Sequence, residues 1–282
     1  MTQDLHGNAD QVAELVHRSG EVLARCNREG FPHIAHKTTP SQTGSDQDFI
    51  HGGPDGTQLH TMINNVTTLA TASVVANRPD LGAVAQEHLL VFFLDPQTGM
   101  NPRLTFPDGK PTDLVEFYDL PRLLDSIALI QDELSGDFRS ALKGWFSAFL
   151  DRVDDIKSHY HPSATGLAGG AYDVLRMGLA TWLGRSEIVK DQAAEVQGRL
   201  EQAIKADGRT LLPVGLQMDA LAVSAELASR AGVDLWGHKT RTGGGSLINA
   251  VQALVTDANN KGQAPQLYDR TIKLAQRHAA RN

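Results

Sequence analysis

The chain has 282 residues, 41% hydrophobic and 21% charged, with a formal net charge of −7. That is ample material for a core in an ordinary globular chain. No apolar run approaches the ~18 residues of a membrane span, no basic block supplies a nucleic-acid footprint, and the single cysteine, Cys26, excludes an internal disulfide or a cysteine-cluster metal site. The opening MTQDLHGNADQ is polar and lacks the basic-then-apolar pattern of a secretory leader, so the expected location is the cytoplasm.

Asn8 suits an N-cap for a helix reaching about Glu29, with Val12, Leu15, Val16, Val22, Leu23 and Cys26 inward. Residues 30–56 then form a long irregular segment that includes His51, and loops of this length are commonly functional. Over 58–77, Leu59, Met62, Ile63, Val66, Leu69, Ala70, Ser73 and Val74 recur at the spacing of one buried helical face. His60, Asn64, Thr67 and Thr71 share a second face of the same helix, and Asn77 with Pro79 ends it. The next pattern, 81–94, is apolar nearly all round its C-terminal half, and Asp95-Pro96 breaks it before TGMNPRL. Residues 107–111 read as a turn and 114–134 as mostly helical. Ser135 or Asp137 caps a helix whose Phe138, Leu142, Trp145, Phe146, Phe149 and Val153 read as core. A Gly-rich break, SHYHPSATGLAGG, precedes further helices at 171–184, 186–205, 218–231, 245–259 and 264–279. With strand signals weak and turns short, the reading is all-α: one domain over 1–282 of about ten helices in antiparallel hairpins.

The stretch LVFFLDPQTGMNPRL resembles the loop W-F-L-D-P-x-T-x-M-N-P-x-L of the alginate-lyase-type polysaccharide lyases. Tyr172-Asp173, a following helix to Gly184, Asp207-Gly208, the run Gly232-Val-Asp-Leu-Trp236 and Ser246-Leu247 are similar in order and spacing to the same family. The resemblance runs over roughly 38–254. It implies an incomplete (α/α) barrel of paired helices around a cleft and β-elimination on a uronate saccharide. It also implies a lid at 30–56, where Ser45-Asp-Gln-Asp-Phe49 stands for the family's lid motif with Gln47 in its His position and Phe49 in its Tyr position.

A uronate lyase must neutralise the C6 carboxylate, remove the C5 proton and protonate the departing glycosidic oxygen. The family uses an Asn-Asn-His motif before the Tyr-Asp, with an Arg and a Tyr further on. Here the residues before Tyr172 are Thr165-Gly-Leu-Ala-Gly-Gly-Ala171, the segment after Asp207-Gly208 contains no Tyr, and Gly99 stands where the family commonly has Arg. The scaffold signature is present and the catalytic signature is absent, so activity of the family's usual kind on alginate is expected to be weak. The residue types able to rebuild proton transfer are His60, His159, Tyr160 and His161. Those able to hold a substrate are Asn64, Asn101, Arg103, Tyr172 and His51. Each has a plainer alternative: a solvent loop with incidental histidines, a polar outer face or satisfied core pair for His60 and Asn64, and a packing aromatic for Tyr172. Two histidines at 159 and 161 do not make a metal site, and no cofactor or metal is expected.

The function expected is therefore that of a carbon–oxygen lyase working by β-elimination, dehydration or related proton transfer on an anionic, carboxylate-bearing substrate. The acidic charge and the polar N-terminus favour a small molecule over a polymer. A uronate polysaccharide lyase and a non-catalytic saccharide- or partner-binding descendant are the alternatives. The partners expected are an anionic small molecule or a uronate saccharide, with neither nucleic acid nor membrane.

Overall fold

The computed structural model describes residues 9–34, 54–100, 113–159, 167–205, 207, 209–210, 215–241, 243–260 and 269–281. Among these the secondary structure is helical, broken only by an isolated bridge between Ile204 and Thr210. None of these helices is long and apolar enough to cross a membrane. The chain divides into two compact units, 1–155 and 156–282.

The first unit holds α1 (Ala9–Glu29), α2 (Pro54–Val75), α3 (Pro79–Leu89), a short α4 (Asp113–Glu116), α5 (Leu120–Leu129) and most of α6 (Gly136–His159). Leu59, Met62, Ile63, Val66, Leu69 and Ala70 of α2 are all fully buried, and α2 packs against α1, α3 and α5. Helix α2 ends with Asn77 at φ +52, where Arg78 N–H donates to the Ser73 carbonyl (2.8 Å) and Asn77 N–H to that of Val74 (3.4 Å). This Schellman closure works because Asn tolerates the left-handed conformation, and Pro79 then starts α3 two residues later. Past α3 the helix widens into a π-turn at Leu90–Leu94.

Phe93 of that turn packs on Trp145 and Phe146 of α6, with ring centroids at 4.5 and 5.2 Å. The loop that follows is held by its own chain: Asp95 Oδ1 accepts from the backbone N–H of Gln97 and Thr98, and Thr98 Oγ1 donates to the Val91 carbonyl. Trp145 Nε1 donates to the Met100 carbonyl (2.8 Å), and Met100 N–H donates to Phe92 O (2.7 Å). Gly99 is required because a Cβ there would collide with the Asp95 and Phe93 carbonyls. Of the aromatics expected in the core, Trp145 is 8% exposed and Phe146 and Phe149 are fully buried, whereas Phe138, in the first turn of α6, is only half-buried. Ser135 caps α6 by accepting from Phe138 N–H (3.2 Å).

The second unit holds α7 (Leu167–Trp182), α8 (Ser186–Ala203), α9 (Leu216–Arg230), α10 (Leu247–Asn260) and α11 (Asp269–Arg281). Helix α7 packs on α8 and α9, and α11 on α9 and α10. The link from α7 to α8 is three residues, 183–185, which forces an antiparallel hairpin. Helix α7 begins four residues earlier than its periodicity predicts, taking in Gly169 and Gly170. A Cβ on Gly170 would lie 2.8 Å from the Ala220 Cβ of α9, so the glycine is there for close helix approach. Helix α6 likewise continues through Ser158 to His159, which the sequence places in the connection.

Candidate active site

The second face of α2 carries the groups with chemistry. His60 Nε2 lies 3.1 Å from Glu116 Oε2. The Glu116 side chain is wholly buried while that of His60 is 37% exposed. Glu116 reaches this position because Gly56 leaves room, since a Cβ on Gly56 would strike the carboxylate. With Glu116 Oε2 as the acceptor of this contact, Nε2 is assigned the ring hydrogen. That leaves the Nδ1 lone pair as the free position of the ring, with no partner among the described residues.

One turn along α2, the exposed Asn64 accepts through Oδ1 from Arg122 NH2 of α5 (2.6 Å). The same guanidinium pairs with Asp119 (3.3 Å), and its Nε is buried with no hydrogen-bond partner. A further turn on, Ser126 Oγ contacts Thr67 Oγ1 (3.2 Å). The face is therefore a polar seam, closed near Thr67 and open near His60. The sequence reading picked out His60 and Asn64 but not their partners Glu116 and Arg122. Glu116 had a signal: an acid inside the apolar run Leu114-Val-Glu-Phe-Tyr118 is either a strand-like interruption or a buried charge, and buried charges are paired.

The other expected site residues distribute as follows. Tyr172 is 2% exposed in α7. Its neighbour Asp173 is 1% exposed and bound by Gln192 Nε2 (2.6 Å) and Arg199 Nε (2.7 Å). Burial pushes the Asp173 carboxyl up to about 6, against the opposing pull of Arg199 and Gln192. The backbone of His159 ends α6. His51, Asn101, Arg103, Tyr160, His161 and the His159 side chain lie outside the described residues, as do Ser45 to Phe49. No group of three or more His, Cys, Asp or Glu able to hold a metal is present among the described residues.

A second polar constellation sits beside α1. His88 is fully buried, its Nε2 3.4 Å from Cys26 Sγ, and Phe31 meets its ring edge-on at 4.8 Å. Burial, helped by the Arg25 charge, lowers the His88 pKa to about 4, so the imidazole is neutral. Burial raises the Cys26 thiol, which keeps it in the SH form at neutral pH and slows its reaction.

No curated protein matches this chain in sequence. A solved structure, an alginate lyase from Bacteroides ovatus, is similar over 94% of this chain and 83% of its own, with TM-score 0.71 and 18% identity. That likeness establishes the fold class expected from the sequence, all-α of the α/α type. The model of the alginate lyase family matches residues 37–264, which contain the α2 seam, the LDPQTGM loop and the Tyr172-Asp173 helix, and the chain belongs to that family.

Proposed function

We propose that the protein is a β-eliminating lyase acting on a carboxylate-bearing uronate oligosaccharide of a few sugar units, with proton transfer rebuilt on His60. The supporting observation is the His60–Glu116 pair, a half-exposed imidazole held in one tautomer by a buried carboxylate. Such a carboxylate orients the ring and stabilises the imidazolium once the proton has moved. Arg122, one turn away, supplies the positive charge that holds the substrate carboxylate and acidifies its α-proton. The Asn64 amide is turned the same way: its oxygen is taken by Arg122, so its NH2 is available to donate.

In the reaction, His60 Nδ1 takes the C5 proton. The electron pair released forms the C4–C5 double bond, the C4–O bond breaks, and its electrons go to the glycosidic oxygen. An acid protonates that oxygen, a task this reading gives to Tyr160 or His161, with His159 beside them. Asn101, Arg103 and His51 complete the substrate-holding set in the same proposal, and Tyr172, buried in α7, is left out of it. The preference for short substrates rests on charge: 26 Lys and Arg against 33 Asp and Glu leave few cations to track a polyanion.

The test is growth of the unsaturated-uronate absorbance band with polymannuronate, polyguluronate, glucuronan and the di- and trisaccharides made from each. Faster turnover of a short uronate than of its parent polymer supports the proposal. Faster turnover of a polymer replaces the short-substrate preference with a polysaccharide lyase. Absence of turnover on every uronate overturns the enzymatic reading in favour of a binding protein.

A further inference from the structure

Helix α2 turns a third face toward α1. Gln58, Thr61 and Asn65 lie roughly 120° round the helix from His60 and Asn64, at 100° per residue. With the last turn of α1 and the segment Gly30–His33 they wall a cavity of about 470 Å³. Gly30, at φ +82, turns the chain back over the end of α1, its N–H donating to the Cys26 carbonyl (2.8 Å). Seven of the ten residues in this wall precede residue 37, where the match to the family begins. The cavity is therefore built largely from a part of the chain that the family match does not include.

Its polar groups are arranged for an incoming acceptor. Asn65 is 2% exposed, and its Oδ1 accepts from Arg25 NH2 (2.8 Å). That bond fixes the amide orientation, leaving Nδ2 as a buried donor with no partner. A buried donor left unmade costs about 1–3 kcal/mol, so an oxygen that enters and accepts from it recovers that cost. The exposed guanidinium of Arg25, bonded only through NH2, has further N–H groups to offer beside it. Thr61 Oγ1 already donates to Thr57 O (2.7 Å), which leaves its oxygen to accept from a hydroxyl. Glu29 also lines the cavity, and one cation facing one acid disfavours a dianion.

We propose that this cavity binds a hydroxylated monocarboxylate about the size of one sugar ring, its carboxylate on Arg25 and Asn65 Nδ2 and its hydroxyls toward Thr61 and Gln58. The site is distinct from the His60 face and does not depend on the activity proposed there. Cys26, the only cysteine of the chain, lines the same cavity and gives a local readout.

The experiment is calorimetric titration of the full chain with D-glucuronate, D-glucose and inorganic phosphate, together with the rate of Cys26 labelling by a small thiol reagent. D-glucuronate is expected to bind at least tenfold more tightly than either other probe and to slow Cys26 labelling. Arg25→Gln should weaken glucuronate tenfold or more. Asn65→Asp, which supplies a carboxylate in place of the donor, should abolish binding. His60→Gln should leave both the affinity and the Cys26 protection unchanged. Glucuronate binding that survives Arg25→Gln, that is lost in His60→Gln, or that leaves Cys26 labelling unaltered overturns the proposal. Equal binding of phosphate or of glucose overturns the carboxylate assignment.

Discussion

Each unit contains an extended polar network among its described residues, and the two differ in how they end. In the second unit Asp173 is enclosed by Gln192 and Arg199, and Gln192 Oε1 accepts from Arg176 NH1 (3.0 Å). These groups bond one another inside the protein, so the network fixes how α7 and α8 sit together. In the first unit the seam from Thr67 through Asn64 to His60 opens at its far end, where the His60 ring has a free nitrogen. A closed network can only hold helices, while an open one can take a proton from something outside. Asp173, which with Tyr172 is part of what makes the chain look like a lyase, belongs to the closed network. The chemistry proposed belongs to the open one.

The largest effect that could break this contrast is catalytic. His60→Gln keeps a side-chain N–H able to reach Glu116 but removes the base. Turnover of the uronate substrate should fall on the order of 10²–10⁴-fold, the usual share of a general base, while the melting temperature stays within a few degrees. His161→Ala should also cut turnover without moving the melting temperature. Asp173→Asn should do the reverse, lowering the melting temperature and leaving kcat within a few-fold of the parent. Steady-state rates beside thermal melts of the three variants separate these outcomes. Full activity in His60→Gln would remove the distinction between the two networks.

The next effect is in pH, and it has opposite signs in the two units. His88 has a folded pKa of about 4, below its ordinary 6.5. Between those values the unfolded chain binds the proton and the folded chain does not, so the stability it contributes is present above pH 6.5 and lost as pH falls through 4. Asp173 has a folded pKa of about 6, above its ordinary 3.8. There the folded chain holds the proton, so its contribution is present below pH 3.8 and lost as pH rises through 6. Each displacement corresponds to roughly 3 kcal/mol at full extent, and the two nearly cancel over pH 4–6. Denaturant melts between pH 4 and 6.5 should show stability rising with pH in Asp173→Asn and falling with pH in His88→Gln. If both variants keep the parent's slope, neither buried group carries the linkage.

The fold was readable because it rests on periodicity. The fully buried face of α2 is the one its apolar spacing marks as far as Ser73, with Val74 beyond it 37% exposed, and the aromatic stripe of α6 is in the core from Trp145 onward. The larger misses lie where periodicity says nothing. A Gly-Gly pair reads as a break, yet Gly169 and Gly170 are helical because a neighbouring helix comes too close for a side chain. For the candidate site, His60 and Asn64 were legible as a polar face, but their partners come from α4 and α5, more than fifty residues away in the chain. A single sequence holds no record of such pairings. His88 was missed for a related reason: it sits inside an apolar helix with no local partner, and only the packing of α1 brings Cys26 to it.

The smallest test compares two helical glycines, one in each unit. Gly144 of α6 is exposed, and a Cβ there meets nothing within 4 Å. Gly144→Ala removes backbone freedom from the unfolded chain at no steric cost, so it should stabilise by about 0.5–1 kcal/mol. Gly170→Ala gains the same helix term but places two methyl carbons 2.8 Å apart across α7 and α9. Because the obstacle is an alanine Cβ, no flexible side chain can swing aside and the helices themselves must separate. Overpacking of that kind costs about 1–3 kcal/mol, which outweighs the propensity gain and leaves a net loss near 1 kcal/mol. The two substitutions should therefore shift the denaturation midpoint in opposite directions. A gain at both positions would mean that α7 and α9 have room to part, and that close approach is not why the Gly-Gly pair lies inside a helix.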